Sequence, residues 1–291
     1  MKCRKCELFD VSAMGLTSVR RSQRDHTSIG FWISCVAAAG LVLLITVSGW
    51  AQVTPLGDAF VYHTNPSGYL LGESGVALRV DGYGFLTYCD ILGRQIRGGW
   101  YDAAGARFGS EIVINDYDST IYPRYSETAR EPSIDGAVVV WLARDETTKA
   151  AEADKAFVNG RILARRVSGL GGVLGAEVQI SDGSAVYPLH PDVAAWSGGI
   201  VVTWLDSGST GSEDDRIWAR ILSSDLVPAT PPFQVSQVHD MDLVAPDIEV
   251  DSEGNFLVMW NASIPNYWER RARLFAADGS PRSDEWTVQE L

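Results

Sequence analysis

Residues Pro246 to Trp260, PDIEVDSEGNFLVMW, run into a polar gap and then into Arg270 to Val288, RRARLFAADGSPRSDEWTV. An Asp/Gly turn, an apolar strand ending in Trp and an alternating hairpin make up one unit, and the unit recurs through the preceding chain. Its anchors are Tyr88 (GFLTY), Trp141 (AVVVW), Trp204 (IVVTW) and Trp260 (FLVMW), spaced by 53, 63 and 56 residues. A loose period of this length marks propeller blades rather than helical solenoids. The second half reads IRGGWYDAAGARFGSEIVIND from Ile96, ILARRVSGLGGVLGAEVQISD from Ile162 and IWARILSSDLVPATPPFQVSQ from Ile217. With the copy from Arg270, each has a turn at Gly105, Gly171, Asp225 or Gly279 between alternating strands, as a hairpin requires.

The residues before each Trp are apolar at consecutive positions: Val138, Val139, Val140; Ile200, Val201, Val202; Phe256, Leu257, Val258, Met259. Side chains alternate faces along a strand, so an unbroken run needs cover on both faces. Stacked blades supply that cover, whereas a sandwich sheet usually keeps one face wet. Two immunoglobulin-like domains are the alternative, but they would not make four hairpins equivalent. The expected fold is all-β and β-propeller-like, with about four blades of four antiparallel strands, the copies at about 72–116, 117–182, 183–237 and 238–291. Ala59 to His63 (AFVYH) matches the outermost strand of a further copy. Five outer strands for four inner sets point to an incomplete or open ring. Thr147 to Phe157 (TTKAAEADKAF) is expected as a helical turn inserted in the second copy.

Ahead of the repeats, Ile29 to Ala51 is an uncharged apolar run preceded by Arg20, Arg21 and Arg24, with Gly49-Trp50-Ala51 where a signal peptidase would cut. Residues 1–51 are therefore expected to be a secretory signal, with an uncleaved N-terminal anchor as the alternative and Met14 as an alternative start. The expected location is secreted, periplasmic or at the cell surface. Cys3-x-x-Cys6 has no second pair to complete a zinc site. Beyond the leader, only Cys89 remains, so stability rests on packing, for which ten Trp and a 46% hydrophobic share are ample. The chain carries 24 basic and 37 acidic residues, and without the leader 18 and 34, a net charge of −16. Such a surface repels phosphate backbones and excludes nucleic acid as a partner, and membrane contact is expected only through the N-terminal segment.

GRQIRGGWYDAAGARFGSEIVIND and PDIEVDSEGNFLVMW, with its distal Arg strand, resemble the Trp-rich repeats of secreted and surface bacterial proteins over about residues 57–291. The resemblance implies a β-propeller-like fold and an extracellular setting. It implies no defined enzymatic activity, since such repeats mostly serve as accessory or adhesive modules. Tyr88 replaces Trp in copy one, and Gly99 stands where Arg165, Arg220 and Arg273 stand elsewhere.

Arg165, Arg220 and Arg273 have the chemistry to grip a carboxylate. Being repeat-equivalent, they fall at one radius on different blades, so pairing with Asp192 or Asp247, or stacking on an aromatic ring, is the expected role. Tyr69, Tyr122 with Arg124, and Tyr187 with His190 are read as lying in the connections between copies, where aromatic and polar groups would form a shallow binding surface for carbohydrate or peptide. The alternative there is that Tyr-Pro merely pins a crossover. Asp206, Glu213, Asp214 and Asp215 are read first as a solvated loop kept polar at the surface, with Ca2+ as the alternative, since they offer the hard oxygen ligands it takes without the spacing of an EF-hand; no other cofactor is expected. The leading expectation is a secreted module that contacts proteins or glycans without catalysis. The alternatives are a sialidase-like glycoside hydrolase, which needs two carboxylates converging within about 5 to 10 Å, and a purely structural repeat of a larger surface protein.

Overall fold

The computed structural model describes residues 71–118, 120–145, 160–182, 187–207, 215–237, 242–264 and 267–290. The leader, Ala59 to His63, Tyr69 and the Thr147 to Phe157 insertion lie outside them. The described residues form four antiparallel sheets, each a meander of four strands. The first holds β1 (Leu71–Leu78), β2 (Gly84–Asp90), β3 (Gln95–Tyr101) and β4 (Arg107–Val113). The second holds β5 (Ile121–Glu131), β6 (Gly136–Asp145), β7 (Arg161–Ser168) and β8 (Gly172–Gln179). The third holds β9 (Pro188–Trp196), β10 (Gly199–Asp206), β11 (Arg216–Leu222) and β12 (Phe233–Gln234). The fourth holds β13 (Asp242–Val250), β14 (Phe256–Ile264), β15 (Tyr267–Phe275) and β16 (Trp286–Glu290). The leading strands β1, β5, β9 and β13 lie side by side in series. This is the propeller arrangement of four-stranded blades.

The cores lie between consecutive sheets, as the apolar runs demand. On β6, Val139 and Trp141 pack with Phe85, Cys89 and Trp100 of the first sheet, while Val138 and Val140 pack with Ile200, Val202 and Trp204 of the third. Val201 and Leu205 then meet Phe256, Val258 and Trp260 of the fourth. Tyr88, Trp141, Trp204 and Trp260 are all buried. Among the described residues no core joins the fourth sheet to the first, so the blades do not close into a ring. Val76 and Leu78 on β1 consequently stay 57% and 68% exposed, and Trp286 on β16 is exposed as well.

A repeated hydrogen-bonded latch supplements these cores. Arg165 Nε donates to the Gly175 carbonyl of its own sheet at 2.9 Å, and its Nη1 to the Ile114 carbonyl at the end of the preceding sheet at 2.9 Å. Arg220 repeats this with Thr230 (3.1 Å) and Ile180 (2.8 Å), and Arg273 with Ser283 (3.2 Å) and Val235 (2.9 Å). The expected partners Asp192 and Asp247 are not used; a strand-end carbonyl left over where one sheet stops is the stronger local demand. Arg273 does also stack over Phe275, 5.1 Å from the ring centroid. Two glutamates complete the latch: Glu177 accepts from the Asp116 amide at 2.5 Å and Glu285 from the Gln237 amide at 2.6 Å. In the first sheet Gly99 takes the Arg position, and Glu111 pairs with Arg97 within the sheet at 2.9 Å.

Replacing Arg220 by Ala strands the Ile180 carbonyl between sheets, and a cost of about 2–3 kcal/mol is expected from urea titrations. Arg107→Ala, at an exposed position, should stay within about 0.5 kcal/mol. Equal effects at the two sites would contradict the latch.

Candidate functional site at the leading strands

Each leading strand has one hydrogen-bonded neighbour, so it is a sheet edge, and each breaks register at the same place. The breaks fall between Gly72 and Ser74, between Arg124 and Glu127, opposite the Thr203/Leu205 step where His190 and Pro191 sit, and between Val244 and Asp247. Such a bulge bends the strand and re-aims its side chains. Three of the bulges hold a residue at positive φ that is not glycine: Tyr125 (51°), His190 (47°) and Ala245 (41°). A left-handed conformation costs of the order of 1–3 kcal/mol at such residues, and it persists only where the surroundings impose it. Here it turns Tyr125 and His190, on adjacent blades, toward each other, with ring centroids 4.2 Å apart and planes at 50°.

After three of the four bulges comes an acidic residue at a single register position: Glu127 opposite Val140, Asp192 opposite Thr203, Asp247 opposite Met259, while β1 has Gly75 opposite Thr87 there. Asp192 is half-buried. Its Oδ1 accepts from the Val193 amide at 2.8 Å and its Oδ2 from the Ile248 amide of the next blade at 2.8 Å. Ile248 follows Asp247 in the chain, which brings the second carboxylate into the same neighbourhood. Burial pushes the Asp192 carboxyl up to about 7, aided by the charges of Asp247 and Glu249 and opposed by the two backbone amides. It therefore keeps its proton in mildly acidic solution and exchanges it near neutrality.

On the other side of Tyr125 the site is cationic. Arg94, in the turn between β2 and β3, donates to the Tyr122 hydroxyl at 2.9 Å and lies 4.1 Å from the ring centroid. Tyr122 faces Arg144 across the β5–β6 pair, and Arg124 faces Leu142, which sets Arg124 and Arg144 diagonally on one face. Burial, then the charge of Arg124, lowers the Arg144 pKa, while Tyr125 opposes the shift.

Tyr122, Arg124 and His190 were expected in connections; they lie within strands β5 and β9, and Tyr187 immediately precedes β9. The physical reason is edge position. Pro123 and Pro188 pair with Ala143 and Asp206 on strands that have a free side, where a missing amide costs little. The structure brings Tyr122, Arg124 and His190 into one cluster, linked through Arg144 and Tyr125. The Tyr187 amide instead donates to Asp206 Oδ1 at 2.7 Å. Tyr125, Arg94, Arg144 and Asp192 were missed as site residues. A signal for Tyr125 existed, since Tyr122-Pro-Arg-Tyr-Ser-Glu127 and Tyr187-Pro-Leu-His-Pro-Asp192 align without a gap and set Tyr125 against His190.

Of the acidic group, Glu213 and Asp214 lie outside the described residues. Asp206 holds Tyr187 as above, and buried Asp215 accepts from the Leu243 amide at 3.1 Å. Among the described residues no three His, Cys, Asp or Glu side chains gather to hold a metal ion.

No family model and no curated protein matches the sequence. Solved structures do. An α-L-arabinanase of Penicillium chrysogenum, complexed with arabinobiose, is similar at a TM-score of 0.55 and 12% identity, covering 78% of this chain and 69% of that one. The Hadza microbial sialidase Hz136 has a TM-score of 0.52 and 11% identity, covering 76% of this chain and 48% of that one. A thermostable family-43 glycoside hydrolase has 0.47 and 13%, covering 78% and 75%. The first two likenesses, with the four meander sheets, establish an all-β, propeller-like fold. They also correct the expectation of a non-catalytic binding module, because those two structures are an arabinanase and a sialidase. That expectation rested on a resemblance to accessory repeats, which carries information about the scaffold and none about the inner-strand residues.

The Asp192 carboxyl makes a thermodynamic prediction. In the folded protein it keeps a proton that the unfolded chain, with a value near 3.8, has already released. Stability should therefore fall as pH rises from about 4 to 7, with a limiting slope of about 1.4 kcal/mol per pH unit. Asp192→Asn should flatten this slope in urea titrations at pH 5 and 7.5, and an unchanged slope would contradict the assignment.

Proposed function

We propose that the protein is an exported glycoside hydrolase that binds its substrate over Tyr125 and His190 and protonates the glycosidic oxygen from Asp192. The observation that carries this reading is the pair of carboxylates on adjacent leading strands, Asp192 raised to about 7 and Asp247 beside it. Glycoside cleavage uses such a pair: one protonated carboxyl as acid, one carboxylate as nucleophile or base. An aromatic surface next to the pair supplies the flat face that sugar rings stack on. The propeller-like fold shared with an arabinanase and a sialidase supports carbohydrate as the partner. The apolar run Ile29 to Ala51 behind Arg20, Arg21 and Arg24 supports export, and the recurrence of the Trp-anchored unit supports kinship with secreted repeat proteins.

Turnover should be measured on a panel of aryl arabinofuranosides, galactosides and sialosides and on arabino-oligosaccharides. Asp192→Asn and Asp247→Asn should each reduce kcat/KM by about 100-fold or more, with the far-ultraviolet spectrum unchanged. Retention of the parent rate by both variants would overturn the assignment of these carboxylates, and absence of turnover on every substrate would count against hydrolysis itself.

A further inference from the structure

The two ends of the open ring are unlike, and each matches one side of an interface used three times inside the molecule. At the fourth-sheet end, Trp286 lies opposite Ala272, as Ile112 lies opposite Gly98, Val178 opposite Ala164 and Phe233 opposite Ala219. Ile112, Val178 and Phe233 all pack into the core shared with the following sheet. Trp286 has no described sheet to meet and is exposed. The latch acceptors, the carbonyls of Ile114, Ile180 and Val235, come one residue past the pairs Arg97–Val113, Leu163–Gln179 and Trp218–Gln234. The matching pair in the fourth sheet is Arg271–Thr287, which makes Val288 the fourth acceptor. Ile114, Ile180 and Val235 are fully buried, whereas Val288 is 49% exposed.

At the first-sheet end, Val76 pairs with Leu86 as Val193 pairs with Val202 and Ile248 with Val258. Those four equivalents are buried in the cores shared with the preceding sheets, while Val76 is exposed. Phe233 meets Phe256 and Phe275 of the following sheet, with ring centroids 6.5 and 5.8 Å apart. The pair that corresponds to Phe256–Phe275 in the first sheet is Gly84–Tyr101, and exposed Leu78 fills the gap, its Cδ2 3.2 Å from where a Cβ on Gly84 would sit. Gly99 has the latch position, and a neighbouring arginine crosses it: Arg107 Cδ lies 3.6 Å from where a Cβ on Gly99 would sit. Arg107 is exposed, and among the described residues its guanidinium has no hydrogen-bond or ion-pair partner. One end thus offers an aromatic ring beside an open strand-end carbonyl, and the other offers aliphatic side chains beside an unused guanidinium.

We propose that a second copy of this chain docks head to tail, its first sheet covering the fourth sheet of the first copy. Trp286 packs on Leu78 and Val76 of the second copy, and Arg107 donates to the Val288 carbonyl in place of the missing latch arginine. The contact continues the blade-to-blade stacking between molecules. It is heterologous, because each face complements the other and not itself.

The test is sedimentation equilibrium of the full chain over about 1–200 μM, in enough salt to screen the repulsion between acidic copies. The parent should associate reversibly. Leu78→Glu and Trp286→Glu each charge one of the two faces, and each should raise the dissociation constant about 100-fold or more. Both positions are exposed, so the far-ultraviolet spectrum should not change. Mixed together, the two variants should associate one to one, because the mixture keeps one intact pair of faces. Arg107→Ala should weaken association about tenfold while leaving the dilute monomer as stable as the parent. A parent that stays monomeric over the whole range would overturn the proposal. So would association that Trp286→Glu abolishes and Leu78→Glu spares, the mark of a symmetric contact between fourth sheets. Association that survives both substitutions, as contact through Ile29 to Ala51 would, also overturns it.

Discussion

A β-strand with two dry faces needs two neighbours, and that requirement organises the molecule. Val138 to Val140 on β6 and Ile200 to Val202 on β10 have no polar position to offer water, so a sheet must stack on each side of them. Stacking sheets by their second strands sends the first strands to one side, where β1, β5, β9 and β13 run in series. These strands have only one ladder partner and are free to bulge. The dry middle of each blade thus produces an inner edge with loose register, and functional side chains can be aimed there.

The latches explain how the blades bear the strain of that edge. Arg165, Arg220 and Arg273 each satisfy a carbonyl that a terminating strand leaves open on the preceding blade. Their effect is collective: neighbouring sheets are fixed in angle, which over-determines the positions of β5, β9 and β13. Under that constraint Tyr125, His190 and Ala245 can be held at positive φ. Where the Arg is absent, at Gly99, the sheet has no described blade behind it, and its Glu111 turns to Arg97. Scaffold and site are therefore coupled, although no latch residue touches the cluster.

Much of the scaffold was legible in the sequence, because burial leaves a periodic mark. Consecutive valines, recurring Trp and paired Gly turns all follow from backbone geometry. The latch was half legible: the repetition of Arg argued against one converging site, but nothing in the chain marks a backbone carbonyl as the acceptor. At the site, Tyr122, Arg124 and His190 stood out by residue type, and Pro123 and Pro188 led to their placement in loops. Proline excludes a central strand but not an edge, and which strands are edges depends on the assembled sheet. Arg144 was hidden in an insertion-bearing copy, its role set only by the register that places it near Arg124. The raised carboxyl of Asp192 was out of reach, since desolvation arises from packing two blades together.

The most direct test of the account is a crystal structure of the full chain with an oligosaccharide bound. The account predicts a sugar ring against Tyr125 and His190, the Asp192 carboxyl within hydrogen-bonding distance of a glycosidic oxygen, and positive φ retained at both bulge residues. A sugar seated on the outer strands, or an ordinary extended backbone at Tyr125 and His190, would contradict it.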